Sequence, residues 1–446
     1  MIRRLHVVAL TVLVLAGRVG SILAQGGGER PKPLHVSTPD VDNYADRASR
    51  PEILPRPLMA ITNANVIDVR TGRVLPKSTV VLRDGLIASV GQALPPAGAL
   101  VIDFEDRYLL PGFMDGHGHV RDLNAARRAL ESGVTTLKSA GVPFYADVAI
   151  RDMARQGHIA GPDILAAGTF VSPTPALESI LADSRLFRFI TRRVDTPEEI
   201  RHMVRVNLDH GVDWIKTRSS ERAGGPTTDP RELVYNEAQM RAMVEEAATK
   251  GVPVQCHVQG DVGGPPAVRG GVRMIEHGWY LSEATLHLMK EHGTYWDPTT
   301  PALLDGATAH HDYDNVVTEN RAPLMISLMR QNVRTAHAIG VKVVTGTDTP
   351  YGPNSISRIA TEIVNFVDFG MPPLAALQAA TIVSAEAYKL EKKTGAIEVG
   401  LEADLVGFDQ NPLDDITVVH DPVLVISNGR LALHRKVVPE RRTSGQ

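Results

Sequence analysis

The chain has 446 residues, 43% hydrophobic and 22% charged, which is the balance of a globular protein long enough to bury a large core. Its 47 basic and 51 acidic residues are well mixed and leave a formal net charge of −4, excluding the basic footprint of a nucleic-acid binder and a polybasic membrane patch. The one cysteine, Cys256, excludes an internal disulfide, so the core alone must hold the fold.

In chain order, Arg3 and Arg4 precede an apolar run from Val7 to Ala16, and small residues surround Ala24. This pattern predicts a secretory signal over 1–24 and an exported protein, periplasmic or extracellular. An uncleaved anchor is the alternative, although the run is short for a spanning helix, and no later segment is apolar and long enough to span. Residues 25–57, rich in Gly, Pro, Arg and Asp, read as an N-terminal arm. Short β-type runs follow at 61–69, 79–82 and 86–90, with Asp84-Gly85 as a hairpin turn. A second set closes the chain at 403–408, 423–427 and 431–434, with Asn428-Gly429 as its turn. The two strand-rich ends predict one small composite β-sandwich domain from 58–106 and 392–438.

Between them, over 107–391, eight apolar strand-like runs alternate with helical patterns: 112–115, 134–138, 163–168, 212–217, 253–257, 272–277, 294–298 and 342–348. Amphipathic stretches such as 197–209, 237–250 and 324–339 separate most of them. Repeated β-then-α units demand parallel pairing with both faces covered, so the expected fold class is α/β, a (β/α)8 TIM barrel. An open doubly wound sheet is the alternative, but no Gly-rich dinucleotide fingerprint follows the early strands. Cys256 lies in an apolar run and reads as a small core residue rather than a nucleophile.

Polar residues stand where several of these runs stop. His117 and His119 in Pro111-Gly-Phe-Met-Asp-Gly-His-Gly-His119 are two apart on a strand, so both imidazoles reach one side. Lys216 ends Val212-Asp-Trp-Ile-Lys216, and His257 ends Pro253-Val-Gln-Cys-His257. His277 stands in Ile275-Glu-His-Gly278, and Asp348 ends Thr345-Gly-Thr-Asp348. Catalytic groups of such barrels collect at the C-terminal ends of the strands. A paired surface histidine explains an HxH alone; six polar groups at five strand ends are hard to explain by packing.

With these residues in place, the chain resembles the amidohydrolase superfamily, in the branch of imidazolonepropionase-like enzymes and metal-dependent prolidases or carboxypeptidases. The resemblance extends to Gly133-Val-Thr-Thr136, to Pro373-Leu-Ala-Ala-Leu-Gln-Ala-Ala-Thr381 and to Gly395-Ala-Ile-Glu-Val-Gly-Leu-Glu-Ala-Asp-Leu405. It implies two divalent metal ions, most often Zn2+, with His117, His119 and Asp348 on the first and His257 and His277 on the second. Lys216, carboxylated to N6-carboxylysine, would bridge them; a free Lys216 beside a single ion is the alternative. An ammonium is a poor partner for two dications, whereas a carbamate is anionic and offers two oxygens. The resemblance makes Asp348 the catalytic acid/base as well as a ligand, a purely ligating Asp348 being the other reading.

The implied activity is hydrolysis of an amide C–N bond in a small molecule such as a dipeptide or an N-acyl amino acid. Opening of a cyclic amide or lactone is the runner-up, and an exported metal or solute binder without turnover is the reading from another class. Tyr235 occupies a place where relatives present a Tyr to substrate, and Arg218 and Arg222 follow Lys216 closely enough to hold a substrate carboxylate. His310 and His311 would line the entrance or face solvent. The chain departs from its relatives at Ser172-Pro-Thr-Pro-Ala-Leu177, where many have Thr-Gly-Gly-His, and at Lys138-Ser139, where an Arg-Asp pair is common. Oligomers are frequent in the family, so a homo-oligomer is expected; no nucleic acid and no stable membrane span after signal removal are expected.

Overall fold

A computed structural model of the chain describes residues 53–225, 227–307 and 316–435. The expected signal, nearly all of the arm, and His310 and His311 lie outside the described residues.

Strands from both chain ends meet in one eight-stranded mixed sheet. From the N-terminal side come β1 (Met59–Asp68), β2 (Arg73–Arg83), β3 (Leu86–Gly91), β4 (Leu100–Asp103) and β5 (Tyr108–Pro111). From the C-terminal side come β13 (Leu405–Phe408), β14 (Leu424–Ser427) and β15 (Arg430–His434). The order is β15-β14-β13-β5-β1-β2-β3, with β4 paired to β1, so the strands read as a sandwich in the sequence are hydrogen-bonded into one sheet. Both hairpin turns have two successive positive φ angles, Asp84 at 54° with Gly85 at 87° and Asn428 at 51° with Gly429 at 72°. Asn, Asp and Gly tolerate that geometry, which matches the twist of the flanking strands. Met59, Ile61, Val80, Leu82, Phe104, Leu405 and Ile426 are among the residues of this sheet's own apolar core.

The middle of the chain carries parallel strands separated by helices. One sheet is β6 (Phe113–Gly118), β7 (Val134–Ser139) and β8 (Asp163–Leu165). The other is β9 (Ile215–Arg218), β10 (Val254–Gly260), β11 (Met274–Tyr280) and β12 (Tyr295–Asp297), in the order β12-β11-β10-β9. Seven of the eight predicted runs thus include a strand. The eighth forms no ladder: it makes a single bridge, Val343 with Trp296, and Thr349 just beyond it bridges Gly118. Backbone bonds join the sheets on both sides. Asp213 and Trp214 donate to the Ala166 carbonyl at 2.7 and 3.0 Å, and Val171 donates to that of Lys216 at 2.9 Å. On the other side Trp296 donates to Lys342 at 3.0 Å, Gly116 to Thr345 at 2.7 Å and His119 to Thr349 at 2.9 Å.

Several helices between strands are amphipathic and carry side-chain N-caps. In Pro197–Asp209, Ile200, Met203, Val204 and Asn207 are buried on one stripe, and Thr196 forms a capping box with Glu199. Asn236 and Gln239 do the same for Glu237–Ala248. The stretch read as 324–339 is part of a longer helix, Val316–Ile339, which continues through Pro323. Among the described residues no helix is long and apolar enough to cross a membrane. Cys256 is buried in β10, and burial pushes its thiol up to about 12, as befits an inert core residue.

Candidate metal centre

The end of β6 and the start of the 347–349 segment are tied together by one buried carboxylate. Asp115 accepts from His117 N at 2.9 Å, Thr347 N at 3.1 Å, Thr347 Oγ1 at 2.6 Å and Tyr351 Oη at 2.6 Å. Asp348 N in turn donates to the His117 carbonyl at 2.7 Å. Asp348 has φ of 55°, a left-handed conformation unusual for a non-glycine residue and found disproportionately at functional sites. The result is that His117, His119 and Asp348 each bring a donor atom within 4.8 Å of the others.

His119 makes the chemistry of this trio explicit. Its Nδ1 lies 3.0 Å from the Gly141 carbonyl, which can only accept, so Nδ1 carries the hydrogen. In the neutral ring Nε2 is then a lone pair, and it faces Asp348 Oδ1 at 3.0 Å. The pair meets either through a proton on Nε2 or, where Nε2 is a lone pair, through a shared metal ion. His117 Nε2 stands 3.3 Å from the same Asp348 oxygen. A histidine whose second nitrogen is held by a carbonyl, beside a carboxylate and another histidine, is a familiar transition-metal arrangement.

His257 and His277 adjoin the trio. Their ring centroids are 4.3 Å apart, and those of His117 and His277 are 4.9 Å apart. Burial holds both His257 and His277 well below the ordinary imidazole value, so each is neutral with a lone pair to offer. His257 Nε2 is buried without a hydrogen-bond partner, a costly state that a metal ion relieves. His277 Nδ1 is held by Thr299 Oγ1 at 2.7 Å. Burial alone would lower His117, but the Glu276 and Asp348 carboxylates overcome it and push the ring up to about 9. Asp348, despite its burial, is held well below the usual carboxylate range by His117 and by its bonds to His117 and His119. The donor set suits divalent metal ions.

Lys216 on β9 is 2% exposed, and its ammonium contacts Glu276 Oε2. Glu276 was not singled out from the sequence, because strand alternation should turn it away from the side that His277 faces. His277 has φ of 68°, and this break in the strand lets neighbouring residues serve the same interior. Glu276 Oε1 lies 3.1 Å from both His117 Nδ1 and Lys138 Nζ. Burial opposes its charge, yet His117, Lys216 and Lys138 together hold Glu276 well below the usual carboxylate range. Lys138 is fully buried, contacts Gln255 Oε1 and lies 5.1 Å from the Trp214 ring centroid. Asp297 completes the interior layer. Both its oxygens are buried without partners, and burial pushes it up to about 7. It fits only because Gly116 and Gly346 lack side chains, since a Cβ at either would collide with its carboxylate.

The residues named for substrate fare differently. Arg218, with a side chain 14% exposed, lies 3.2 Å from Glu221 through Nη1, while its Nε is buried without a partner. Its guanidinium carbon is 6.0 Å from the Phe170 ring, and the Lys216 amine 5.9 Å from the same ring. Arg222 is exposed. Tyr235 does not present itself to an open site: it is fully buried, and its hydroxyl donates to the Val194 carbonyl at 2.5 Å.

A sequence model of the amidohydrolase family matches residues 108–432. The ochratoxinase of Aspergillus niger is 26% identical over 413 residues, covering 82% of this chain and 84% of that protein. Among solved structures, a Xaa-Pro dipeptidase with methionine bound in its active site has a TM-score of 0.74 at 26% identity, over 84% of this chain and 99% of that one. A prolidase complexed with N-methylphosphonate-L-proline has a TM-score of 0.73 at 26% identity, over 85% and 100%. With these neighbours the fold is of the TIM-barrel type with an additional domain.

Proposed function

The chain belongs to the amidohydrolase family, and on that footing we propose that it hydrolyses the amide C–N bond of a small molecule bearing a free carboxylate, such as a dipeptide or an N-acyl amino acid. The observation that carries this reading is the trio of His117, His119 and Asp348 with the His257–His277 pair beside it. In this reading the segment 342–348 acts as the eighth strand of a (β/α)8 barrel, and the sheet built from both chain ends is the accessory domain.

His117, His119 and Asp348 would hold one ion, His257 and His277 a second, and Lys216 as N6-carboxylysine would bridge them. When bound, two divalent ions, zinc foremost, would polarise the scissile carbonyl and acidify a water. Asp348, kept anionic by the histidines around it, accepts a proton as water attacks the carbonyl carbon. It returns that proton to the leaving nitrogen, and the C–N bond opens to a carboxylate and an amine. Arg218, with its unpartnered Nε beside Phe170, anchors the substrate carboxylate by charge-assisted hydrogen bonds, and Arg222 adds positive charge at the rim. The ligands bound in the dipeptidase and prolidase structures, methionine and a phosphonate of proline, support an amino-acid-bearing substrate. The basic start and apolar run before Ala24 support export.

The test is a panel of dipeptides and N-acyl amino acids, each paired with its C-terminal carboxamide, after reconstitution with zinc and bicarbonate. Free acids should be cleaved, and Arg218→Met should raise their KM at least about tenfold with a smaller change in kcat. Equal cleavage of acids and carboxamides, or an unchanged KM in the variant, would contradict the assignment of Arg218.

A further inference from the structure

We propose that Glu276 is the positioning residue of the metal centre, gripping the bridging Lys216 and the ligand His117 with its two oxygens, and that Lys138 is its built-in counter-ion. The inference rests on the metal reading of the site given above and names two residues which that reading leaves without a role.

The geometry is a single carboxylate serving two ligands. Glu276 Oε2 contacts Lys216 Nζ, and Oε1 lies 3.1 Å from His117 Nδ1, although the latter pair is not aligned as a hydrogen bond. Those ligands come from β9 and β6, on different sheets, so their relative placement depends on a group that reaches both. A ligating imidazole is oriented by what its other nitrogen meets, and for His117 that neighbour is Glu276.

The same oxygen suits Lys216 before and after modification. In carboxylation the Nζ lone pair bonds to the carbon of CO2, a C=O π pair moves onto oxygen, and two protons pass to solvent from the starting ammonium. The carbamate nitrogen keeps one hydrogen. Glu276 Oε2 can accept it as it accepts the ammonium hydrogen, leaving both carbamate oxygens for the ions.

Charge explains Lys138. Once Lys216 is a carbamate it no longer neutralises Glu276, and a buried carboxylate without a cation is strongly unfavourable. Lys138 Nζ stands 3.1 Å from Oε1, wholly buried, fixed by Gln255 and facing the Trp214 ring. Gln255 is locked in turn by donation from Nε2 to the Ser139 carbonyl at 2.7 Å. Asp297 places a second buried carboxyl near Lys138, with neither of its oxygens hydrogen-bonded.

The experiment compares wild type, Glu276→Gln, Lys138→Arg and the charge-neutral pair Glu276→Gln/Lys138→Met, all as full-length protein. The readouts are metal ions per chain, the carbon-13 carbamate signal after incubation with labelled bicarbonate, and the bicarbonate concentration for half-maximal carboxylation. Glu276→Gln should raise that concentration at least about tenfold and lower metal content from two ions toward one, while Lys138→Arg, which keeps the cation, should stay within about threefold of wild type. The double variant removes both buried charges together and provides the same test if the single variant does not fold. A folded Glu276→Gln or double variant with wild-type carbamate signal and two ions overturns the proposal. Wild type without a carbamate or without metal would instead overturn the reading of the site on which it rests.

Discussion

Tyr235 shows how a residue type at a suggestive position can serve packing instead. Its hydroxyl is committed to the Val194 carbonyl, and burial drives its ionisation far above the ordinary phenol range. Tyr235→Phe should therefore lower stability by about 1–3 kcal/mol, the cost of a buried carbonyl left unpaired, while kcat and KM stay within about twofold. Denaturant unfolding and steady-state kinetics check both; a large fall in kcat at unchanged stability would return Tyr235 to the substrate. The ligand candidates were legible because each is a histidine, lysine or aspartate ending an apolar run, a pattern packing does not generate. Glu276 and Asp297 were not, and Lys138 stood out only as a departure from the Arg-Asp pair of relatives, because a polar residue inside a strand looks the same whether it faces solvent or a sealed interior. Only tertiary structure shows Lys138 and Glu276, 138 positions apart, as partners.

At the scale of elements, turns and caps were the most readable features. Asp84-Gly85 and Asn428-Gly429 turn as hairpins because few other residue pairs accept two positive φ angles. The eighth run was readable as extended, but its carboxylate-tied end, bent at Asp348, limits its pairing to single bridges. The junction before β13 carries a pH-sensitive element. Asp404 accepts from Thr394 Oγ1 and Asn428 N, both at 2.8 Å, yet burial, with Asp163 and Glu402 adding to it, pushes it up to about 7. An unfolded aspartate titrates near ~3.9. Between these values the folded state holds the extra proton, so Asp404's contribution is complete below the unfolded value and is lost as pH rises through about 7. Asp404→Asn should flatten the decline in unfolding free energy across that window. A variant whose pH profile runs parallel to wild type would contradict the assignment.

Across the whole molecule, class and order of elements followed from repeated parallel units flanked by two β-rich ends. Parallel strands must be covered on both faces, and that leaves continuous apolar runs in the sequence. The two β-rich ends were readable as one composite domain, but their merging into a single sheet rather than a sandwich, and the choice of which strands pair, depend on contacts separated by hundreds of residues, such as β5 with β13. Local pattern carries no record of them. The same long reach builds the site, since His117 and Asp348 come from opposite ends of the parallel array.

The most direct measurement of the central claim is native mass spectrometry of metal-stripped protein titrated with zinc in bicarbonate buffer, run beside His257→Ala. Wild type should take up two ions per chain and the variant one, with the folded mass otherwise unchanged. Wild type that stays folded and binds none would contradict the account.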